Sequence, residues 1–132
     1  MVLSHDDDRT HPYWYARLIR IFHVNVEYRN HPGSRYSKPT RADVLFVRWF
    51  RRDGDFQLGF RAKRLPRIEF FDKESISDAF RFLDPDSVIR GVHLIPGFAY
   101  GSTQELLDPS FVRPEIDGTQ WQWDWRYYHV NM

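Results

Sequence analysis

The stretch 41–52 constrains the fold more than any other part of this chain. Val44-Leu45-Phe46-Val47 is apolar on both faces, as a strand covered on both sides must be. β-branched and aromatic residues suit a pleated surface. The run continues into Trp49-Phe50 with arginines on either side, and Asp53-Gly54-Asp55 follows as a turn. A covered strand therefore carries a Trp to its own exit, beside two carboxylates. Side chains alternate along a strand, so Val47 and Trp49 share one face and Phe50 the other. Phe50 is expected inside, and Trp49 at least partly open to solvent.

The flanking segments also read as strands. Residues 13–28 form one long bent strand. Trp14, Ala16, Leu18, Phe22, Val24 and Val26 fall on one face, with Tyr13, Tyr15, Ile19 and Ile21 on the other. Residues 30–40 hold Pro32-Gly33-Ser34 and Lys38-Pro39 and read as a loop. Residues 65–71 form a short strand, and Pro66, which cannot donate to a ladder, places it at an edge or at a strand start. Residues 75–82 make either two helical turns or a strand through 79–82. Residues 87–96 form a strand, 103–107 one helical turn, and 121–130 a final strand. The expected fold is mostly β: a small closed or nearly closed β-barrel with one or two short helical turns, one domain over 1–132.

Composition narrows the function. The 132 residues contain no cysteine, which removes disulfides, thiolate metal sites and cysteine nucleophiles. No apolar run reaches about 18 residues, so no membrane partner is expected. The first residues lack the basic and apolar regions of a signal peptide, and a nuclear or cytoplasmic location is expected. Ser34 and Ser102 lie in ordinary loop sequence rather than a nucleophile elbow. No phosphate-cradling glycine loop is present. The six histidines show no paired metal spacing. His23 and His93 read as strand residues, and Asp6-Asp7-Asp8 with His5 or His11 reads as a solvated turn. Neither an enzyme, a metal nor a cofactor is expected.

Two features point to binding instead. Aromatic residues make up 17% of the chain, more than a small core needs, so some are available to a ligand. Charge is also uneven. Residues 41–67 hold eight Lys/Arg against three Asp, and 72–125 hold ten Asp/Glu against four Lys/Arg. Arg51, Arg52, Arg61, Lys63, Arg64 and Arg67 could contact phosphates, which makes a nucleic-acid-binding accessory domain, with DNA as the partner, one alternative.

Three segments taken in order resemble the bromo-adjacent homology (BAH) domain, a chromatin-associated β-barrel. They are His11-Pro12-Tyr13-Trp14-Tyr15-Ala16-Arg17-Leu18-Ile19-Arg20-Ile21-Phe22, then Val44 to Arg52, then Asp86-Ser87-Val88-Ile89-Arg90-Gly91-Val92-His93-Leu94-Ile95-Pro96. Against that family the first strand is truncated at the start of the chain. Four phrases also resemble a C-terminal segment of fungal (mushroom-type) transposon-encoded proteins: His11 to Arg17, Phe82-Leu83-Asp84-Pro85, Val88 to Pro96, and Tyr127-Tyr128-His129-Val130-Asn131-Met132.

The BAH resemblance implies a non-enzymatic interaction module. Some BAH domains read methylated lysines on histone tails with an aromatic cage closed by an acid. Carried onto this chain, Trp49 takes the place of the cage Trp and Asp55 that of the acid which follows. Tyr13 or Trp14 takes the place of the entry-strand Tyr, and Phe82 is the nearest residue for the last wall. The implied partner is a histone tail or another protein peptide. The remaining alternative is a purely structural or dimerisation barrel pairing through an open strand edge.

Overall fold

The computed structural model describes residues 1–4, 11–56, 64–110, 112–113, 115–116, 120–121 and 123–132. The strands are β1 (Val2–Leu3), β2 (Tyr13–Val26), β3 (Thr40–Arg52), β4 (Arg67–Phe70), β5 (Phe80–Leu83), β6 (His93–Pro96), β7 (Ser102–Thr103), β8 (Glu115–Ile116), β9 (Gln120–Trp121), β10 (Asp124–Trp125) and β11 (Tyr128–Asn131). One short α-helix, α1 (Ile76–Ala79), runs straight into β5. Single 3-10 turns lie at Lys73–Ser75, Pro85–Ser87 and Phe98–Tyr100.

Seven strands make the main sheet, in the order β1-β2-β3-β4-β11-β6, with β5 added to β3. The organising stretch is central, as its sequence requires. β3 pairs with β2 along one edge; the other edge takes β5 at Leu45–Arg48 and β4 at Phe50–Arg52. The sheet curls into a half barrel and does not close. The gap between its end strands is bridged where the Ile89 amide donates to the Met1 carbonyl at 3.0 Å.

The core follows from the register. Tyr15 stands opposite Phe50, Phe50 opposite Phe70, and Ile68 opposite Tyr128. These residues and Val130 form one buried cluster on one face of the curl. Phe50 stacks on Phe70 at 4.1 Å between centroids, and Tyr128 meets both edge-on. Offset-stacked and edge-to-face contacts of this kind add to the burial of the rings themselves.

Four expectations need correction. The register of β2 shifts between Leu18 and Arg20, so Ile19 is an extra residue, a β-bulge. The bulge sends Phe22, Val24 and Val26 to the face of Tyr15, opposite Trp14, Ala16 and Leu18, where simple alternation keeps all six together. The expected strand at 87–96 forms only as β6; Pro85–Ser87 is a 3-10 turn in which the Asp84 side chain accepts from the Asp86 amide. The expected final strand is broken into β9, β10 and β11. The backbone at 126–127 turns to another partner: the Arg126 amide donates to the Gly101 carbonyl, and the Tyr127 carbonyl accepts from the Gly97 amide at 2.8 Å. Gly97 permits that approach, since a Cβ there would lie 3.1 Å from the Tyr127 carbonyl oxygen. Residues 75–82, with two readings, use both, as α1 and then β5. Residues 103–107 give the end of β7 and a turn instead of a helix.

Candidate functional site

Where β2 begins and β3 ends, the sheet leaves a cleft of about 600 Å³. Its aromatic wall is built by register. Ala16 pairs with Trp49, so Trp14, two residues earlier on the same face, is Trp49's diagonal neighbour. The two indoles meet edge to face, centroids 5.8 Å apart at 75°. Trp49 is half-buried while Phe50 is buried, as alternation at the strand exit requires. Trp49 also borders a second cavity of about 240 Å³, lined by Ala16, Leu18, Val47, Leu83 and Val88. Its ring is thus a partition between the cleft and an apolar void.

Tyr13, opposite Leu3 in β1, borders the same cleft and stands edge-on to the His11 ring at 6.0 Å. Behind it the chain is tied down. His11 is buried, and its Nε2 lies 2.8 Å from the Tyr15 hydroxyl. Burial, with the neighbouring Tyr13 adding to it and Arg52 and Arg90 opposing, pushes the Tyr15 phenol up to about 12. The protonated hydroxyl is the form that this corner accommodates.

Phe82 also borders the cleft, but its ring belongs elsewhere. It pairs with Phe46, on the face of the sheet opposite Trp49, and packs on Phe46 and Phe22 at 5.2 and 6.2 Å. The ring is 69% exposed. Asp55 is not among the residues that line the cleft, although Gly54 beside it is. Asp55 is exposed, and its amide donates to the Asp53 side chain. The cleft's carboxylate is Asp78, from α1, paired with Arg81 at 3.2 Å. Sequence reasoning missed it. It depends on the pairing of β5 with β3, which sets Arg81 opposite Val47 on the Trp49 face and brings the preceding helical turn along, and no local pattern signals that.

The basic candidates are largely committed to other contacts. Arg51 pairs with Glu69 at 2.9 Å and Asp72 at 3.5 Å. Arg67 gives its Nε and Nη2 to Asp53 and lies between the rings of Phe56 and Tyr127, at 4.1 and 4.3 Å. Arg64 sits over Phe56, and Arg51, Arg52 and Arg81 line the cleft. Arg61 and Lys63 lie outside the described residues, as does the 5–8 part of the acidic N-terminal turn. His23 and His93 are strand residues, both exposed. Among the described residues no group of three His, Cys, Asp or Glu is placed to hold a metal ion.

A second charged cluster was not legible in the sequence. Arg48 is on the core face of β3 and buried, as are Arg113 and Asp124. Asp124 Oδ2 accepts from Arg48 Nη1 at 2.8 Å and from Arg113 Nη2 at 3.0 Å, and Arg17 lies 3.6 Å from Oδ1. The Arg48 guanidinium stacks 3.7 Å from the Phe70 centroid. Burial pulls the Arg48 pKa down, against the opposing pull of Asp124. A cation on a core face demands such a partner; only the partner's identity was hidden, 76 residues away. Asp124 thus ties β10 to β3 and to the 113 turn, although Arg48 Nε and Arg113 Nε are buried without a hydrogen-bond partner among the described residues, so the cluster holds the curl together.

No family model, no curated protein and no solved structure matches this chain.

Proposed function

We propose that the chain is a non-enzymatic interaction module of BAH type that takes a peptide side chain in the cleft between β2 and β3. The observation that carries this reading is the Trp14–Trp49 pair, edge to face and open to a 600 Å³ cleft with a carboxylate, Asp78, on its wall. An indole pair and a carboxylate suit a methylated ammonium, where a cation–π contact is worth about 0.5–2 kcal/mol from an exposed to a desolvated site. The fitting ligand is a lysine-bearing tail, a histone tail foremost, and the fitting setting is the nucleus. Tyr13 closes the β1 side, and Asp78 takes the role that the family resemblance gives to Asp55. The engagement of Arg51 and Arg67 with Glu69, Asp72 and Asp53 favours this reading over phosphate binding.

A peptide array of unmodified and methylated lysine tails tests it. Binding that W14A and W49A each weaken about 2- to 30-fold is expected, the range that one cation–π contact gives. No binding at high micromolar peptide, or binding that both variants leave unchanged, overturns it.

A further inference from the structure

β2 is paired with β3 along its length, but its other edge meets β1 only at Tyr13 and Trp14. Among the described residues nothing pairs with that edge from Tyr15 to Val26. An open edge is a row of backbone donors and acceptors that templates another strand. Proteins that keep such an edge to themselves break it with Pro, Lys or a bulge. Here the bulge lies at Ile19 and a charge at Arg20, and the stretch beyond them, 21–26, holds neither Pro nor a charged residue. Because of that bulge, Phe22, Val24 and Val26 point to one face, and all three are exposed.

We infer that this edge pairs with the same edge of a second copy, antiparallel, about a twofold axis at Phe22. The strand is self-complementary in that register. Phe22 meets its own copy, Arg20 stands opposite Val24, and Ile21 opposite His23, so no cation faces a cation. Centring the axis on Arg20 sets two guanidiniums against each other, which is unfavourable for directly opposed positions. The Phe22 register also keeps the paired stretch outside the bulge until Asn25 reaches Ile19. The apolar stripes of the two copies then run together across the axis, and the interface is closed and isologous. A foreign strand would need to supply both the apolar alternation and a residue that tolerates Arg20; the chain's own β2 supplies both.

Sedimentation velocity on the whole chain, from micromolar to about millimolar, tests the pairing, with Val24→Glu and Val24→Lys as probes. Val24 is exposed, and thermal melts matching wild type show that the fold is kept. The wild type is expected to pass from monomer to dimer. In this register each dimer places two Arg20 side chains opposite position 24. V24E should therefore tighten the dimer by roughly 2- to 30-fold and V24K loosen it by a similar factor. A wild type that stays monomeric throughout overturns the inference, and so do two probes that shift the equilibrium in the same direction.

Discussion

Trp14 stands edge-on to Trp49 across the β2–β3 pair, their centroids 5.8 Å apart, while Phe50, the next residue, is stacked on Phe70 in the core. One peptide unit thus separates a cleft wall from a core residue, and the two should differ in what they contribute to folding. Phe50→Ala is expected to destabilise by about 3–5 kcal/mol, the range for emptying a buried aromatic site. Trp49→Ala should cost less than half of that, because the residue is partly solvated and already borders a cavity. Urea unfolding of the two variants in parallel checks this. The reverse order would make Trp49 a core residue and remove the main support for a peptide cleft.

Asp124 holds two buried guanidiniums on one oxygen. Asp124→Asn keeps the shape and removes the charge. Breaking a buried ion pair costs about 3–5 kcal/mol because the remaining charge is left without compensation. For a domain of this size that is a fall of Tm on the order of 10–20 °C. The loss should persist in high salt, since a buried pair is screened far less than a surface one. A melt within about 2 °C of wild type would show that solvent already reaches this cluster.

Arg67 separates the structural and nucleic-acid readings of the basic segment. Its guanidinium gives two N–H groups to Asp53, a third, on Nη1, to the Tyr100 hydroxyl at 2.9 Å, and a face to each of two rings. Lysine has the charge but neither the fork nor the plane. Arg67→Lys is therefore expected to cost about 1.5–3 kcal/mol, the worth of a lost charged hydrogen bond. A phosphate ligand would behave differently: R67K would leave the urea midpoint in place and affect only binding. Urea unfolding together with a low-salt gel shift distinguishes the two outcomes.

Much of the sheet was legible because β3 states its position twice, in its double-faced apolar run and in its alternation at Trp49 and Phe50. Burial decides such a strand, and burial is written in residue type. The bulge at Ile19 was not legible. Arg20 interrupts the apolar face that starts at Trp14, but a polar interruption alone does not mark a bulge, and only the partner strand shows that one residue is extra. The break of the last strand was hidden for a similar reason, since Tyr127 leaves the ladder for Gly97, a contact that no local pattern announces. In the site, Tyr13, Trp14 and Trp49 come from adjacent strands whose register follows from a hairpin, so local sequence suffices. Asp78 arrives on an element placed by a long-range pairing, and Phe82, right in position, turns its ring to Phe46. Asp55, the acid that the resemblance pointed to, sits inside the 53–56 turn, where its amide donates to the Asp53 side chain, and it does not line the cleft.

The Tyr15 hydroxyl gives a pH test of how the base of the cleft is built. It is buried 2.8 Å from His11 Nε2, and burial first of all pushes its phenol up to about 12. An unfolded tyrosine ionises near 10. Below pH 10 both states hold the proton, and whatever stability the buried neutral hydroxyl contributes is fully present. Between about 10 and 12 the unfolded chain releases the proton while the folded chain keeps it. The unfolded state then binds fewer protons, so stability falls as pH rises. Above 12 the contribution is gone. Other tyrosines and the lysines titrate in the same window, so the measurement must be a difference. Tyr15→Phe loses the hydrogen bond to His11 at every pH but has nothing to ionise. The gap in urea midpoint between wild type and Y15F should hold steady from about pH 8 to 9.5 and shrink steadily across 10 to 12. Parallel curves through that window would mean that the hydroxyl is solvated in the folded state and that the His11 contact does not seal the floor of the cleft.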